Sequence, residues 1–317
     1  MMHALLTMGA SLPRPSWVSP DLSTFDTTSW CINNRKDYAD MSAATLETIV
    51  DNATRKILGA EKVGLWPVVA GLAKNITGIP SRDACDGKLR RRPFNPAARM
   101  CGNDWPCTGT TMVGIMRLMN VAALLKSVVE DGVRGAFAEL GVWRGGTCIF
   151  ARKLLDLLSE GGRRVEVFDA FENLPGYGTN SDFLKNSQAS VKENFRLAGV
   201  PLDRVHFHKG LFKDSVPAFS REYTGSIAVL RVDGNFYDSY QDAMYYLYER
   251  VPVGGYVIFD DIMSHPAVRR FWNDFKADQG VVETLLRIDR HSAYFHKTRA
   301  VKIDMSRMHA PQDANKA

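Results

Sequence analysis

Apolar residues recur at helical spacing in three segments of the first 130 residues. Over 43–57, Leu46, Ile49, Val50 and Ala53 share one face. A second apolar helix is predicted over 63–72. A third is predicted over 112–130, where Ile115, Leu118, Met119, Ala122, Leu125 and Val129 repeat, and its methionines read as core packing. From Gly135 the period changes. Short apolar runs at about 135–140, 164–169, 204–208, 226–232 and 254–260 alternate with helical patterns at about 147–159, 185–198, 238–250 and 266–278. Such alternation predicts βαβ units around a parallel sheet. Two final strands, at about 283–288 and 292–297, are separated only by Asp289-Arg290-His291. So short a connection requires a hairpin, which brings an antiparallel strand to the sheet edge. The expected architecture is α/β: a doubly wound, Rossmann-like sheet of seven strands with an antiparallel last hairpin, preceded by a helical N-terminal extension.

The remaining segments set the expected domain organisation. Prolines 13, 15 and 20 make residues 1 to about 40 an irregular arm. Residues 79–108, rich in Pro, Gly, Arg and Asp, read as a long, lid-like loop. Residues 1–108 are therefore expected to hold the arm, helices and lid, residues 109–300 the main domain, and residues 301–317 a tail.

Composition narrows the function class. The 317 residues are 45% apolar with a net charge of +5, ordinary for a globular protein and no nucleic-acid footprint. The densest basic cluster, Lys88-Leu89-Arg90-Arg91-Arg92-Pro93, reads first as a solvated loop and second as an anion contact. No apolar run approaches the ~18 residues of a membrane span, and the first ten residues carry no basic start for a secretory signal. Five cysteines, at 31, 85, 101, 107 and 148, form no C-x-x-C pair, so neither a disulfide framework nor a zinc site is expected. Cys148 reads as a small buried residue, and a reducing compartment, the cytoplasm, is inferred.

Chemistry enters where the first strand of the alternating region ends. The run Glu139-Leu140-Gly141-Val142-Trp143-Arg144-Gly145-Gly146-Thr147 joins that strand to a helix. A strand, glycine turn and helix start in sequence place backbone N–H groups and a carboxylate at a sheet edge, where nucleotide-like ligands bind. Asp169 ends the next strand, where an acid accepts hydrogen bonds from a ribose diol. The glycines at 141, 145 and 146 do not match the G-x-G-x-x-G spacing suited to a pyrophosphate. A nucleoside without phosphates fits better than NAD, and S-adenosylmethionine is the common ligand of that kind.

Two later strand ends carry acids: Asp233 after Ile227-Ala228-Val229-Leu230-Arg231-Val232, and Asp260-Asp261 after Tyr256-Val257-Ile258-Phe259. Consecutive strands tend to be neighbours, so these acids should converge in the crevice of the glycine turn. Like charges that close repel, and a hard divalent cation relieves them; all-oxygen ligation favours Mg²⁺. The competing reading is helix capping near Pro266 and Tyr237. His265 reads first as a surface or capping residue, His206 and His208 as structural strand residues, and Trp105 as an anchor of the long loop.

In these segments the chain resembles the macrocin O-methyltransferase (TylF-like) family. The matching runs are Gly102-Asn103-Asp104-Trp105-Pro106, Thr111-Met112-Val113-Gly114 with Arg117-Leu118 and Asn120, and Glu139 through Gly146. They continue with Phe168-Asp169-Ala170-Phe171-Glu172-Asn173-Leu174-Pro175, Val191-Lys192-Glu193-Asn194-Phe195 and Gly210-Leu211-Phe212. Leu230-Arg231-Val232-Asp233-Gly234 and Gly254-Gly255 to Asp261 complete the set, over roughly residues 100–298. The resemblance implies an S-adenosylmethionine-dependent, Mg²⁺-dependent methyltransferase acting on a hydroxyl, typically of a sugar on a natural product. It implies that Thr111, Glu139, Leu140, Gly141, Val142, Trp143, Asp169, Gly210 and Leu211 hold the donor. It further implies that Asp233, Asp260 and Asp261 hold the metal, with Asp233 as general base, and that the enzyme is a homo-oligomer, a dimer or larger. The sequence departs from the family pattern at Asn235, where a second Asp is usual, at Ser239-Tyr240, where Ser-Thr usually follows the Tyr, and at Ile262, where an aromatic is usual. The segment between Pro175 and Val191 is shorter than usual. The alternatives are a phenolic or catechol-type acceptor, and a non-catalytic relative that binds the donor. No nucleic-acid or membrane partner is expected.

Overall fold

The computed structural model describes residues 42–58, 66–79, 83–85, 90–172 and 181–310. The arm read over residues 1 to about 40, the helix start at 63, residues 173–180 and the end of the tail lie outside the described residues.

Among the described residues four helices precede the sheet: α1 (Ala43–Leu58), α2 (Trp66–Ile76), α3 (Pro96–Cys101) and α4 (Ile115–Glu130). Helix α3 lies inside the stretch read as loop. Its signals are short but complete: the Asn95 side chain accepts from the Ala98 amide, Pro96 opens the helix and Gly102 closes it. The sheet then builds as β1 (Ala136–Leu140), α5 (Gly146–Leu157), β2 (Val165–Asp169), α6 (Ser181–Leu184), α7 (Gln188–Leu197), β3 (Val205–Lys209), α8 (Phe212–Glu222) and β4 (Ile227–Val232). It closes with α9 (Tyr237–Leu247), β5 (Tyr256–Phe259), α10 (Pro266–Gln279), β6 (Leu286–Arg287) and β7 (Ala293–His296). Helix α8 was not expected; Pro217 interrupts its pattern.

The seven strands run in the order β3-β2-β1-β4-β5-β7-β6. The pairings from β3 to β5 are parallel, whereas β7 is antiparallel to β5 and β6. The doubly wound sheet with its antiparallel hairpin is thus present. Period-two alternation splits the strand side chains between two cores. On one face Phe137, Val167 and Val229 pack with Leu46, Leu118, Leu125 and Leu154. On the other, Leu140, Phe168, Leu230 and Phe259 pack with Val216, Met244 and Phe271. Because α1 and α2 share a core with α4 and α5, the N-terminal helices are continuous with the sheet rather than a separate body.

Cys101 is disulfide-bonded, whereas Cys85, Cys107 and Cys148 are free. The expectation of no disulfide is corrected at this position, and the cysteine argument for a reducing compartment goes with it. Among the described residues no helix is long and apolar enough to cross a membrane.

Candidate active site

Strand register assembles the acids. Glu139 on β1 pairs with Arg231 on β4, and Arg231 pairs with Ile258 on β5. Paired positions share a face, and residues two further along share it again. Asp233 and Asp260 therefore emerge side by side, with Asp261 next to them. Carboxylate oxygens of Asp233, Asp260 and Asp261 lie within 4.8 Å of one another. None of the three caps a helix: α9 begins after Phe236 and α10 after His265. Tyr240, fully buried, straps the two strand ends together. Its hydroxyl donates to the Val232 carbonyl at 3.0 Å and accepts from the Asp261 amide at 3.3 Å.

Two buried guanidiniums face this cluster. Arg231 bonds to Glu139 and to Asp260, and stands 3.1 Å from Asp233. Arg117, on α4, reaches Asp260 at 2.6 Å and Asp289 at 2.9 Å. Glu139 is itself buried and also accepts from the Cys148 thiol at 2.8 Å, so that cysteine is a donor as well as a packing residue. Burial pushes the Asp233 carboxyl well above the usual range, and Asp260 adds to the shift. Burial and the neighbouring Asp260 raise Asp261 to about 6. Burial opposes ionisation of Asp260 too, but Arg117 and Arg231 outweigh it and hold that carboxyl low.

The arginines already neutralise part of the charge, so repulsion among the acids is only partial. Five carboxylates (Glu139, Asp233, Asp260, Asp261 and Asp289) face two guanidiniums, leaving a surplus of three negative charges when all are ionised. An all-oxygen cluster with that surplus fits a hard divalent cation.

The glycine turn abuts the cluster. Asp233 donates its amide to the Leu140 carbonyl at 2.8 Å. Gly141 stands at φ +87, and a Cβ there would lie 1.9 Å from the Asp233 carbonyl oxygen. Only glycine permits this approach. Gly141→Ala is expected to cost about 1–3 kcal/mol from crowding alone, read as a lower urea midpoint, with weakened donor binding in the protein that remains folded.

Asp169 lies across the turn from Gly141. It accepts from the amides of Val142 at 3.0 Å, Trp143 at 3.2 Å and Phe171 at 2.8 Å. The turn amides expected to face a ligand therefore face Asp169, and the Gly146 amide, at the start of α5, donates to the Thr110 carbonyl. This satisfied turn accounts for the missing phosphate spacing. The Trp143 side chain is buried, its indole donating to the Phe183 carbonyl at 3.0 Å. Thr111 is also buried, with its hydroxyl 3.3 Å from that of Thr147. Gly210 follows β3 and donates to the Asp169 carbonyl at 3.1 Å, while Leu211 is exposed.

The segment before α4 closes onto this turn. Arg144 donates to the carbonyls of Cys107 at 2.8 Å and Gly109 at 3.0 Å. Trp105 stacks on Phe183 with ring centroids 4.6 Å apart, the anchoring role expected for it. His208 on β3 pairs with Glu166 on β2 at 2.8 Å, whereas the acids follow β4 and β5. His265 is half exposed, 3.6 Å from Asp261.

The departures are structural in character. Asn235 adopts φ +61, which asparagine tolerates better than most residues. Ile262 is buried in the core beside α9 and α10. Ser239 lies against Gly234.

Arg117, Arg231, Tyr240 and Asp289 were not singled out as site residues from the sequence. A signal existed for one pair: Glu139 and Arg231 are opposite charges inside neighbouring, wholly buried strands, and such charges must find each other. No comparable signal marks Asp289.

The sequence model of the Macrocin-O-methyltransferase (TylF) family matches residues 46–297, so the family region begins with α1 and not near residue 100. The chain is 36% identical over 248 residues, 72% of its length and 92% of the relative's, to an 8-demethyl-8-(2,3-dimethoxy-alpha-L-rhamnosyl)-tetracenomycin-C 4'-O-methyltransferase of Streptomyces olivaceus. It is 34% identical over 245 residues, covering 72% of this chain and 94% of the relative, to a mycinamicin III 3''-O-methyltransferase of Micromonospora griseorubida. The solved structure of the O-methyltransferase NovP superposes with a TM-score of 0.68 at 33% identity, covering 73% of this chain and 98% of that one. The chain belongs to the macrocin O-methyltransferase (TylF) family and is an S-adenosylmethionine-dependent O-methyltransferase.

Proposed function

We propose that this enzyme methylates a hydroxyl of a sugar carried by a glycosylated natural product, with Mg²⁺ held by Asp233, Asp260 and Asp261. The observation that carries the reading is the meeting of those three carboxylates against the glycine turn. The relatives named for a rhamnosyl 4'-hydroxyl and a mycinamicin 3''-hydroxyl support a sugar acceptor. Donor contacts are assigned to Thr111, Glu139 through Trp143, Asp169, Gly210 and Leu211. The polar groups of Thr111, Glu139, Val142, Trp143 and Asp169 make hydrogen bonds within the protein. Residues 109–300 are assigned the donor and metal sites, with α1 and α2 part of the same body and the loop before residue 109 as lid.

Methyl transfer forms an oxygen–carbon bond in line with the breaking sulfur–carbon bond, and the sulfur keeps the electron pair. Alignment of the two supplies on the order of 7–11 kcal/mol in favourable cases. A bound divalent cation acidifies an acceptor hydroxyl. Asp233 takes the hydroxyl proton on its carboxylate. The 103–110 segment, pinned by Arg144 and by Asp104 on Arg99, excludes water from the donor side.

Two expected results test the reading. Methyl incorporation, followed by mass across a panel of glycosides and phenols, should occur on a glycoside and stop with EDTA; incorporation into phenols alone would move the acceptor class. The second is a pH effect. The raised carboxyls of Asp233 and Asp261 keep their protons in the folded protein above the unfolded value. Between about pH 4 and 6 the native state therefore binds more protons, and stability of the metal-free protein falls as pH rises. A cation that binds the ionised carboxylates reverses this. The gain in melting temperature on adding Mg²⁺ should thus be larger at pH 8 than at pH 5, by differential scanning fluorimetry.

A further inference from the structure

Asp260 is the most constrained of the three acids. Arg231 bonds to its Oδ1, Arg117 to its Oδ2 at 2.6 Å, and the Ser292 hydroxyl to its backbone carbonyl. Arg117 joins three segments at once. One Nη meets Asp260 at the end of β5, and the other donates to the Cys101 carbonyl at the end of α3 at 3.1 Å. Its Nε stands 2.9 Å from the buried Asp289 in the β6–β7 turn. Asp289 in turn accepts from the amides of His291 at 2.8 Å and Ser292 at 2.9 Å, which shapes that turn. Gly102 makes room for the guanidinium: at φ +68, a Cβ there would lie 2.2 Å from an Arg117 Nη.

This placement presents a conflict of signs. A guanidinium beside a ligand oxygen repels a cation bound there. If Arg117 only neutralised the acids, it would compete with the metal, and removing it would tighten metal binding. If it orients the carboxylate, removing it would weaken binding despite the relief of repulsion. Two hydrogen bonds in different directions, to Asp260 and to the Cys101 carbonyl, with the Asp289 carboxylate as an ion-pair contact 2.9 Å from Nε, match the second role, because a point charge would neutralise equally well without the fork.

We propose that Arg117 is a positioning residue: it presets Asp260 as a metal ligand and ties that ligand to the end of α3 and to the β6–β7 turn. This rests on the metal reading above. The test is calorimetric and electron-paramagnetic titration of Mn²⁺ into the metal-free full-length enzyme, comparing wild type, Arg117→Met and Arg117→Lys. Arg117→Met should bind Mn²⁺ roughly 10–100-fold more weakly, as for other partners that orient metal ligands. Arg117→Lys should fall between it and wild type, and S-adenosylhomocysteine affinity should be unchanged in both. Equal or tighter Mn²⁺ binding by Arg117→Met overturns the proposal. Should that variant fail to fold, Arg117→Lys decides alone: weaker binding supports the proposal, and wild-type binding overturns it. Absence of Mn²⁺ binding by the wild type would remove the metal reading itself, and this inference with it.

Discussion

Asp233→Asn should lower kcat by roughly 10²–10⁴-fold, the usual contribution of a general base, while leaving donor affinity near that of the wild type. Asparagine keeps the shape and an acceptor for Arg231, which stands 3.1 Å away, so the fold is retained. The closest approach of Asp233 to Gly141 is through its backbone carbonyl, which Asp233→Asn leaves in place. Chemistry and donor binding are therefore separable at this residue. Steady-state kinetics with calorimetric titration of S-adenosylhomocysteine read both. Turnover within a few-fold of wild type would remove Asp233 from the proton-transfer role.

Arg231→Met carries the largest expected loss of stability. The guanidinium is buried and bonds to Glu139 and Asp260. Its removal leaves two buried carboxylates without their shared partner, a change that costs about 3–5 kcal/mol. Urea denaturation followed by circular dichroism measures it. Replacing Glu139 with Gln in the same background should recover part of the loss, because one uncompensated charge is gone. A loss below about 1 kcal/mol would mean that water reaches these groups and that the cluster is not the sealed network described.

Much of this arrangement was legible in the sequence, and the limits have physical causes. The alternation of apolar runs and helical periods from Gly135 onward predicted the parallel sheet, because each strand buries both faces and each helix buries one. Asp289-Arg290-His291 predicted the hairpin because three residues cannot make a crossover. The convergence of Asp233 with Asp260 and Asp261 followed from neighbouring strands ending at one edge. What escaped was local or long-range. Helix α3 is too short to show a period, and Pro217 disguises α8. Arg117 and Asp289 are separated from their partners by long stretches of chain, and only the fold brings them together. The turn amides of Val142 and Trp143 looked available in the sequence, which does not show that Asp169 accepts from them. Register does explain why Glu139 and Arg231 meet, and two opposite charges in adjacent buried strands were the visible clue.

The proposed chemistry requires a divalent ion among the acids at the ends of β4 and β5, next to the donor. A crystal grown with Mn²⁺ and S-adenosylhomocysteine, with data collected near the manganese edge, tests this most directly. The expected result is one anomalous peak bounded by Asp233, Asp260 and Asp261, with the homocysteine sulfur facing it across Gly141. A cluster without that peak, its acids paired only with Arg117 and Arg231 while the donor site is filled, would contradict it.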